Sequence, residues 1–251
     1  MTVLDIKDTR VNVFETEPDV VRALADRFCD LAKEAISARG KFFVSLSGGN
    51  TPKALYGLLA QPEYAKRVDW SKVELFLGDE RCVPHDHQDS NFGMITKEMI
   101  SKIDIPEGNV HPTQKQDKDP ELAAKNYEET MRSAFNKYDG PPQFDLILLG
   151  LGPDGHTASL FPNTAAIGQK EKLFVANYVQ QFQAHRLTTT LPVINNARHV
   201  FFLVAGSGKA SIVKDIFESQ TKKYPAQLVQ PQGGKLEWYM DRAAATNLSG
   251  G

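Results

Sequence analysis

The chain has 251 residues, of which 41% are hydrophobic, and its 29 lysines and arginines are balanced by 31 aspartates and glutamates. This near-neutral balance, with no long basic run, argues against binding to nucleic acid or to an anionic membrane surface. The two cysteines are too few for a disulfide framework, the N-terminus lacks a secretory pattern, and no apolar run approaches the ~20 residues that span a bilayer. We therefore expect one cytoplasmic domain covering residues 1–251.

The chain begins with a strand, a long helix and a second strand. Hydrophobic periodicity predicts a strand over residues 10–15, a helix over 18–39 and a strand over 42–46. The second strand runs into Ser47-Gly48-Gly49, after which Thr51 is expected to be the N-cap and Pro52 the first residue of another helix. Such a turn directs backbone N–H groups and the positive end of a helix dipole at one point, which suits a phosphate. A tight turn that binds no ligand would give the same spacing.

The next buried strand, at residues 73–77, is followed directly by charged residues. Asp79, Glu80 and Arg81 come after Gly78 and should lie at the carboxyl end of that strand. They are candidates for a polar site. Equally well, Asp79 or Glu80 caps a turn and pairs with Arg81.

The run after this strand contains two histidines, His85 and His87, that invite comparison with a metal site. Its neighbours are polar, and no second cluster offers further ligands at a plausible spacing, so we predict no metal site. A helix is then expected to start at Asp89 or Ser90 and to carry Ile103.

The densest combination of apolar strand, tight turn and ionisable side chains lies in residues 145–162. In residues 145–149, Asp145 is followed by an unbroken apolar run, and this pattern predicts a strand buried on both faces. Three glycines and a proline then form a loop that presents Asp154 and His156 just beyond the strand, where ligands bind in open α/β sheets. A histidine that only fixes its own turn is the alternative interpretation.

The remaining elements complete the predicted architecture. A helix is expected over residues 120–138, strands over 173–179, 199–205 and 236–240, and a short helical segment over 241–246. Lys209 lies in a glycine turn after one of these strands and could bind an anion, although a lysine there is more often only solvated. Strands and helices alternate throughout, which predicts a Rossmann-like, doubly wound, largely parallel α/β sheet with helices on both faces.

Six segments together resemble the 6-phosphogluconolactonases in residues, order and spacing. They are SLSGGNTPKALYGLL, LFLGDERCVP with the following DSNFGM, LLGLGPDGHTASLFP, RLTTTLPVINNA, FFLVAGSGKA and WYMDRAAA. The resemblance covers essentially the whole chain, and GDERCVP and DGHTASLFP are specific in combination. It implies the fold of the glucosamine-6-phosphate isomerases/deaminases, hydrolysis of 6-phosphogluconolactone to 6-phosphogluconate in the oxidative pentose phosphate pathway, and no required cofactor.

The resemblance also implies a role for each site residue. His156 would be the general base that activates water, with Asp154 and Asp79 shaping the polar floor of the site. The phosphate would be clamped by Arg186 and Lys209, with Arg81 at the mouth, and these cations would be helped by Ser47, Gly48, Gly49 and Thr51. A lactone carbonyl is already electrophilic, so water, a base active near neutral pH and donors for the oxyanion are sufficient.

Two rival functions belong to the same fold. A glucosamine-6-phosphate isomerase/deaminase would use a carboxylate such as Asp79 to move a proton between carbons, but those enzymes resemble one another in an Asn-Glu-Pro element after the histidine, where this chain has SLFP. A non-catalytic sugar-phosphate sensor would usually carry a DNA-binding helix-turn-helix, for which the N-terminal segment is too short and too weakly basic. The expected partner is therefore a small sugar-phosphate lactone, bound by a monomer or weak homo-oligomer.

Overall fold

The computed structural model describes residues 1–6, 9–113, 119–137, 139–219 and 221–248. Its strands are β1 (Thr2–Ile6), β2 (Thr9–Phe14), β3 (Phe42–Leu46), β4 (Val73–Leu77), β5 (Asp79–Arg81), β6 (Val110–His111), β7 (Leu146–Leu149), β8 (Phe174–Val179), β9 (Ala184–Thr189), β10 (His199–Val204) and β11 (Lys235–Asp241). Its helices are α1 (Glu17–Arg39), α2 (Asn50–Leu59), α3 (Pro62–Ala65), α4 (Asn91–Glu98), α5 (Pro120–Ala134), α6 (Leu191–Ile194), α7 (Ala210–Glu218) and α8 (Arg242–Ala245).

The main sheet is largely parallel. In the described part of the chain its order is β1-β2-β11-β10-β7-β3-β4-β6, and only the β1–β2 pair is antiparallel. Strands β4 and β7 are buried along their whole length, as parallel strands are when both faces of the sheet are covered. The predicted doubly wound α/β fold is confirmed.

The direction in which the sheet grows reverses at β3. From β3 the chain adds β4 and β6 on one side, whereas β7, β10 and β11 follow on the other side. Because crossovers between parallel strands are right-handed, this reversal places helices on opposite faces and opens a crevice at the carboxyl ends of β3 and β7. The loops after the two strands meet there, since a Cβ on Gly150 would lie 3.9 Å from the carbonyl oxygen of Gly48.

A second, antiparallel sheet packs beside this crevice and was not anticipated. Its order is β5-β9-β8, so Asp79 and Arg81, which we expected in a loop, lie on its first strand. Strand β5 follows β4 after the single residue Gly78, and its pairing with β9 is extended by a hydrogen bond of 2.8 Å from Thr189 N to Gly78 O. The charged residues that follow β4 therefore lie on a hydrogen-bonded strand and not in a loop.

The hydrophobic core lies between the main sheet and its helices and continues under the small sheet. Phe76 of β4 packs edge-on against Phe144, with ring centroids 5.3 Å apart. Tyr127 of α5 contacts Phe174 of β8 at 4.5 Å, so the same core supports both sheets. Each such aromatic pair contributes ~0.5–1.5 kcal/mol beyond the burial of its area.

The termini of the helices follow the sequence signals in most places. Helix α1 has a capping box between Thr16 and Asp19 and ends at Gly40, whose φ of 80° is left-handed, as predicted for a glycine stop. Helix α4 starts after Ser90, whose hydroxyl accepts from Gly93 N, but it ends at Glu98 and does not reach Ile103.

Two further predicted helix boundaries, besides the end of α4, are wrong. Helix α2 starts at Asn50 with Gly49 as its N-cap, so Thr51 is not the N-cap; its hydroxyl donates to Glu17 instead of accepting from the first turn. Helix α5 ends at Ala134, because Asn136 two residues later is left-handed at φ 47°. The predicted end at Tyr138 lies outside the described residues.

Candidate active site

A cleft of about 540 Å³ opens where the carboxyl ends of β3 and β7 face the small sheet. The predicted site residues that line it are Ser47, Gly48, Gly49, Thr51, Asp79, Arg81, His156, Arg186 and Lys209. Asp154, the remaining predicted site residue, reaches the cleft through the imidazole of His156. Residues from five separate loops and strands are thus brought to one place by the sheet topology.

The loop after β7 is held in a tight conformation that presents His156. Gly155 is left-handed at φ 74° and its N–H donates to Gly152 O at 3.1 Å, while Gly152 N donates back to His156 O at 2.8 Å. The hydroxyl of Thr157 donates to Gly150 O at 2.9 Å and closes the loop. A short apolar strand followed by closely spaced glycines produces this geometry because β7 is rigid and the glycines permit the reversal.

The imidazole of His156 is fixed from three directions. Its Nδ1 lies 2.5 Å from Asp154 Oδ1, and its ring stacks on Phe161 with centroids 4.1 Å apart. On the other side it packs so closely on Gly152 that any Cβ there would overlap the ring. Because an ionised Asp154 can only accept, Nδ1 is the nitrogen that carries the proton, so the lone pair of a neutral ring is on Nε2.

Asp154 is well suited to hold this tautomer. Burial alone would raise the pKa of its carboxyl, but the hydrogen bond and charge of His156 bring that pKa below its ordinary value. The same Oδ1 also accepts from the backbone N–H of His156 at 3.2 Å. The carboxylate therefore remains charged at working pH and oriented toward the ring.

Asp79 is a buried carboxylate at the floor of the cleft. Ser159 Oγ donates to its Oδ2 at 2.7 Å, and Asn91 Nδ2 contacts its Oδ1 at 3.3 Å. Only 8% of Asp79 is exposed. The carbonyl oxygen of Ser159 accepts a hydrogen bond from the Asn177 side chain, and the N–H of Ser159 donates to the Thr188 hydroxyl. The loop carrying His156 is therefore tied to the small sheet.

Glu80 has a structural role, close to the alternative interpretation in which it caps a turn and pairs with Arg81. Its buried carboxylate accepts from the backbone N–H groups of Arg81, Asn91 and Phe92 and from the hydroxyl of Ser90, so it caps the start of α4. Its partner at position 81 is the backbone N–H and not the guanidinium. Burial raises the pKa of Glu80 despite these four donors.

The Ser47-Gly48-Gly49 turn leads into the N-terminus of α2, which faces the cleft. Gly49 is left-handed at φ 113°, and no side chain caps this helix in the described structure. The first-turn N–H groups and the helix dipole therefore remain available to an anion. Asn91 packs directly against Gly48, leaving no room for a Cβ.

Arg81 and Arg186 lie side by side on the small sheet. They are cross-strand partners of β5 and β9, Arg81 donates to Asp89 O at 2.6 Å, and the Arg186 guanidinium lies 5.2 Å from the centroid of the Phe182 ring. Burial, and next the charge of Arg81, lower the pKa of Arg186 from its ordinary value. Two like charges held together in a cleft favour the binding of an anion.

Lys209 approaches the cleft from the opposite side. Its turn starts at the left-handed Gly206 (φ 92°), whose N–H is anchored on Asp241 at 3.0 Å. The ammonium donates to Leu151 O at 2.7 Å, and burial lowers its pKa while the charge of Asp154 opposes that shift. Lys209 therefore contacts the base of the histidine loop and also lines the cleft.

Four further residues of the cleft were not singled out from the sequence: Glu17, Asn91, Phe161 and Phe182. Phe161 and Asn91 lie inside the segments on which the resemblance rests, so their motifs carried a signal. The exposed ring of Phe182 packs edge-on against Phe161 at 5.6 Å and lies in an otherwise polar run. Glu17 is an acidic residue in the first turn of α1, which is ordinary for a helix start.

The histidines considered as metal ligands contact neighbouring protein groups. His85 Nε2 lies 2.8 Å from Thr113 O, and His87 Nδ1 accepts from Asp89 N at 3.1 Å. Across the described ranges, no group of three or more His, Cys, Asp or Glu side chains is arranged to hold a metal ion. Nor does any helix in those ranges have both the length and the apolar character required to cross a bilayer.

Comparison with known proteins agrees with this geometry. The chain is 47% identical over 219 residues to the 6-phosphogluconolactonase of Synechocystis sp., covering 86% of this chain and 88% of that protein. It is 37% identical over 246 residues to the 6-phosphogluconolactonase of Rattus norvegicus, covering 95% and 93%. The solved 6-phosphogluconolactonase from Trypanosoma cruzi is 26% identical, with a TM-score of 0.87 over 99% of this chain and 100% of that chain. A profile described as glucosamine-6-phosphate isomerases/6-phosphogluconolactonase matches residues 15–238, and the chain therefore belongs to this family.

Proposed function

We propose that this protein hydrolyses 6-phosphogluconolactone to 6-phosphogluconate in the oxidative pentose phosphate pathway. The observation that carries the proposal is the imidazole of His156, held by Asp154 as a base within the same cleft as the cations of Arg81, Arg186 and Lys209. Its family relatives named as 6-phosphogluconolactonases support the substrate.

In the proposed reaction, Nε2 of His156 takes a proton from a water molecule as its oxygen attacks the lactone carbonyl carbon. The carbon–oxygen bond to the attacking water forms, and the carbonyl becomes a tetrahedral oxyanion. The bond to the ring oxygen then breaks, and that oxygen leaves with a proton from the imidazolium. Asp154 stabilises the imidazolium in between, because it is ionised and lies 2.5 Å from Nδ1.

We propose that the phosphate binds at the other end of the cleft. Arg186 and Lys209 clamp it, the N–H groups of Gly48 and Gly49 in the Ser47-Gly48-Gly49 turn and the hydroxyl of Thr51 add donors, and Arg81 lies at the mouth. The hydroxyl of Thr51 donates to Glu17 at 2.8 Å, so it must exchange partners to donate to the phosphate. Asp79 supports the floor through Ser159 and Asn91.

Proton release from freshly prepared lactone, corrected for spontaneous hydrolysis, tests this function in purified protein without added metal or nucleotide. We expect hydrolysis well above the spontaneous rate and no loss with a chelator. A parallel assay for ammonia release from glucosamine 6-phosphate distinguishes the deaminase. Ammonia release without lactone hydrolysis would overturn the proposal, and activity lost to chelator and restored by a divalent ion would overturn its cofactor-free form.

We further propose that residues 1–251 act as one domain, in the cytoplasm and without nucleic acid, as a monomer or weak homo-oligomer. Both cysteines are free thiols, Cys29 buried and Cys82 half-buried, which suits a reducing compartment. Sedimentation velocity across a range of protein concentrations, with activity measured at the same concentrations, tests the oligomeric state. A tight oligomer whose activity disappears on dilution would contradict this proposal.

A further inference from the structure

The turn at the end of β3 is held from beneath by one buried phenol. Tyr56 Oη accepts a hydrogen bond from Ser47 N at 3.0 Å and donates one to Ser47 O at 2.7 Å. Tyr56 lies on α2, nine positions further along the chain, and its side chain is completely buried. One hydroxyl thus satisfies both backbone groups of the residue at which β3 passes into the cleft.

This arrangement leaves the turn little freedom. A buried backbone N–H and C=O each require a hydrogen-bond partner, and the Tyr56 hydroxyl is the partner of both groups of Ser47. On the other side, Asn91 packs against Gly48 without space for a Cβ. Burial raises the pKa of Tyr56, so the phenol stays protonated and remains a donor throughout the working range of pH.

We propose that Tyr56 is a positioning residue for phosphate recognition, which sets the Ser47-Gly48-Gly49 turn so that the N–H groups of Gly48 and Gly49 converge on the phosphate of the substrate. This inference rests on the proposed function. Tyr56 contacts no reacting atom, because its hydroxyl lies behind the turn and is committed to Ser47. Its effect should therefore be on binding of the phosphate and not on chemistry at the carbonyl.

The chain offers a matched control in Tyr127. This second buried phenol accepts from Leu77 N at 2.7 Å and donates to His111 O at 3.0 Å, and it is 1% exposed. Tyr127 supports the end of β4 as Tyr56 supports the end of β3, but its hydrogen bonds are to Leu77 and His111 and not to the Ser47-Gly48-Gly49 turn. Tyr56→Phe removes one buried hydroxyl from two backbone groups, and Tyr127→Phe removes one from three, since Tyr127 Oη also lies 3.4 Å from Leu77 O, so both should lower the melting temperature.

The test compares the two variants on 6-phosphogluconolactone and on gluconolactone without phosphate, with inorganic phosphate as a competitive inhibitor. Tyr56→Phe should raise KM for the phosphorylated lactone and the inhibition constant of phosphate by roughly tenfold, the worth of one charge-assisted hydrogen bond, with kcat within about twofold. Tyr127→Phe should change neither constant by more than about twofold, and kcat/KM for gluconolactone should be unaffected by Tyr56→Phe.

Several outcomes would overturn the inference. Equal losses on both lactones, an unchanged phosphate constant, or the same phosphate-specific loss in Tyr127→Phe would each make Tyr56 a general stabilising residue. If Tyr56→Phe does not fold, 4-aminophenylalanine at position 56 is the alternative variant, because it keeps the ring and a donor to Ser47 O but is a weak acceptor for Ser47 N. KM for the phosphorylated lactone and the inhibition constant of phosphate are then measured in that variant and judged in the same way. A wild-type protein that hydrolyses neither lactone would refute the proposed function itself, which is a distinguishable result.

Discussion

Substitution of Asp154 provides the sharpest test of how His156 is activated. Asp154 Oδ1 accepts both from the ring Nδ1 at 2.5 Å and from the backbone N–H of His156 at 3.2 Å. In Asp154→Asn the backbone donor should keep the side-chain oxygen in place, so the ring retains its tautomer and loses only the charge of its partner. In Asp154→Ala the ring loses its partner altogether.

The two variants should therefore differ in size of effect. A charge-assisted hydrogen bond is worth ~1.5–3 kcal/mol and a neutral one ~0.5–1.5 kcal/mol. Because 34% of the Asp154 side chain is exposed, solvent screening favours the lower ends of these ranges. With ~1.4 kcal/mol for each factor of ten, kcat should fall roughly tenfold in Asp154→Ala and only about threefold to fivefold in Asp154→Asn.

The assay is kcat for 6-phosphogluconolactone at saturating substrate, with inhibition by 6-phosphogluconate as the measure of binding. Binding should stay within about twofold of the wild-type value, since Asp154 reaches the cleft only through His156. Asp215 is a suitable control, because it accepts from Tyr224 Oη at 2.9 Å beside the same loop. An Asn variant at position 154 that is slower than the Ala variant would refute the reasoning, since it would mean that the amide flips and dictates the wrong tautomer. Unchanged kcat in both would show that Asp154 does not orient the base.

Three further predictions follow from the same geometry. Arg186→Ala and Lys209→Ala should each weaken 6-phosphogluconate binding by about tenfold or more while sparing unphosphorylated gluconolactone; equal losses on both substrates would make them structural. His156→Gln should lower kcat ~10²–10⁴-fold and abolish the acid limb of the pH–kcat profile, since only a neutral imidazole accepts a proton. The pKa of Asp154 is lowered, so its carboxylate stays charged through that limb. The stability that the charged carboxylate contributes is lost only as pH falls further, through the lowered pKa. An acid limb that persists in His156→Gln would belong to another group. Gly152→Ala should displace the imidazole and lower kcat without weakening product binding, whereas Gly168→Ala, where a Cβ meets open space, should be neutral; equal kcat in the two would contradict the packing.

The sequence predicted the main sheet well because its strands are short apolar runs closed by glycine. Buried parallel strands such as β4 and β7 must be apolar on both faces, and their loops must reverse tightly, so composition alone identifies them. Strand β1 was missed because Thr2–Ile6 is a short, largely exposed edge strand whose residues neither alternate regularly nor form an apolar run. Strand β5 was missed because three charged residues carry no strand signal, and only pairing with β9 defines them as one.

The site was predictable in its residues more than in their contacts. Local motifs indicate which side chains lie at the ends of strands, and the sheet brought them into one cleft as expected. Contacts across the chain leave no local trace, as with Thr51 donating to Glu17 across 34 positions of sequence. Phe182 likewise lies in a polar run, and only the fold reveals that its ring contacts both Phe161 and Arg186.

The two sheets divide the proposed task, and the way they dock determines whether the halves match. The loop with His156, the proposed base, and the Ser47-Gly48-Gly49 turn, proposed to bind phosphate, extend from β7 and β3 of the main sheet, whereas Asp79, Arg81 and Arg186 belong to the small sheet. Ser159 joins them by donating its hydroxyl to Asp79 at 2.7 Å and its N–H to Thr188 at 3.1 Å. The distance between carbonyl and phosphate is fixed within a substrate, so the matching distance in the protein must be fixed as well. In the proposed site, hydrogen bonds between the two sheets hold Arg186 at a defined position relative to His156, although the loop that carries His156 is rich in glycine.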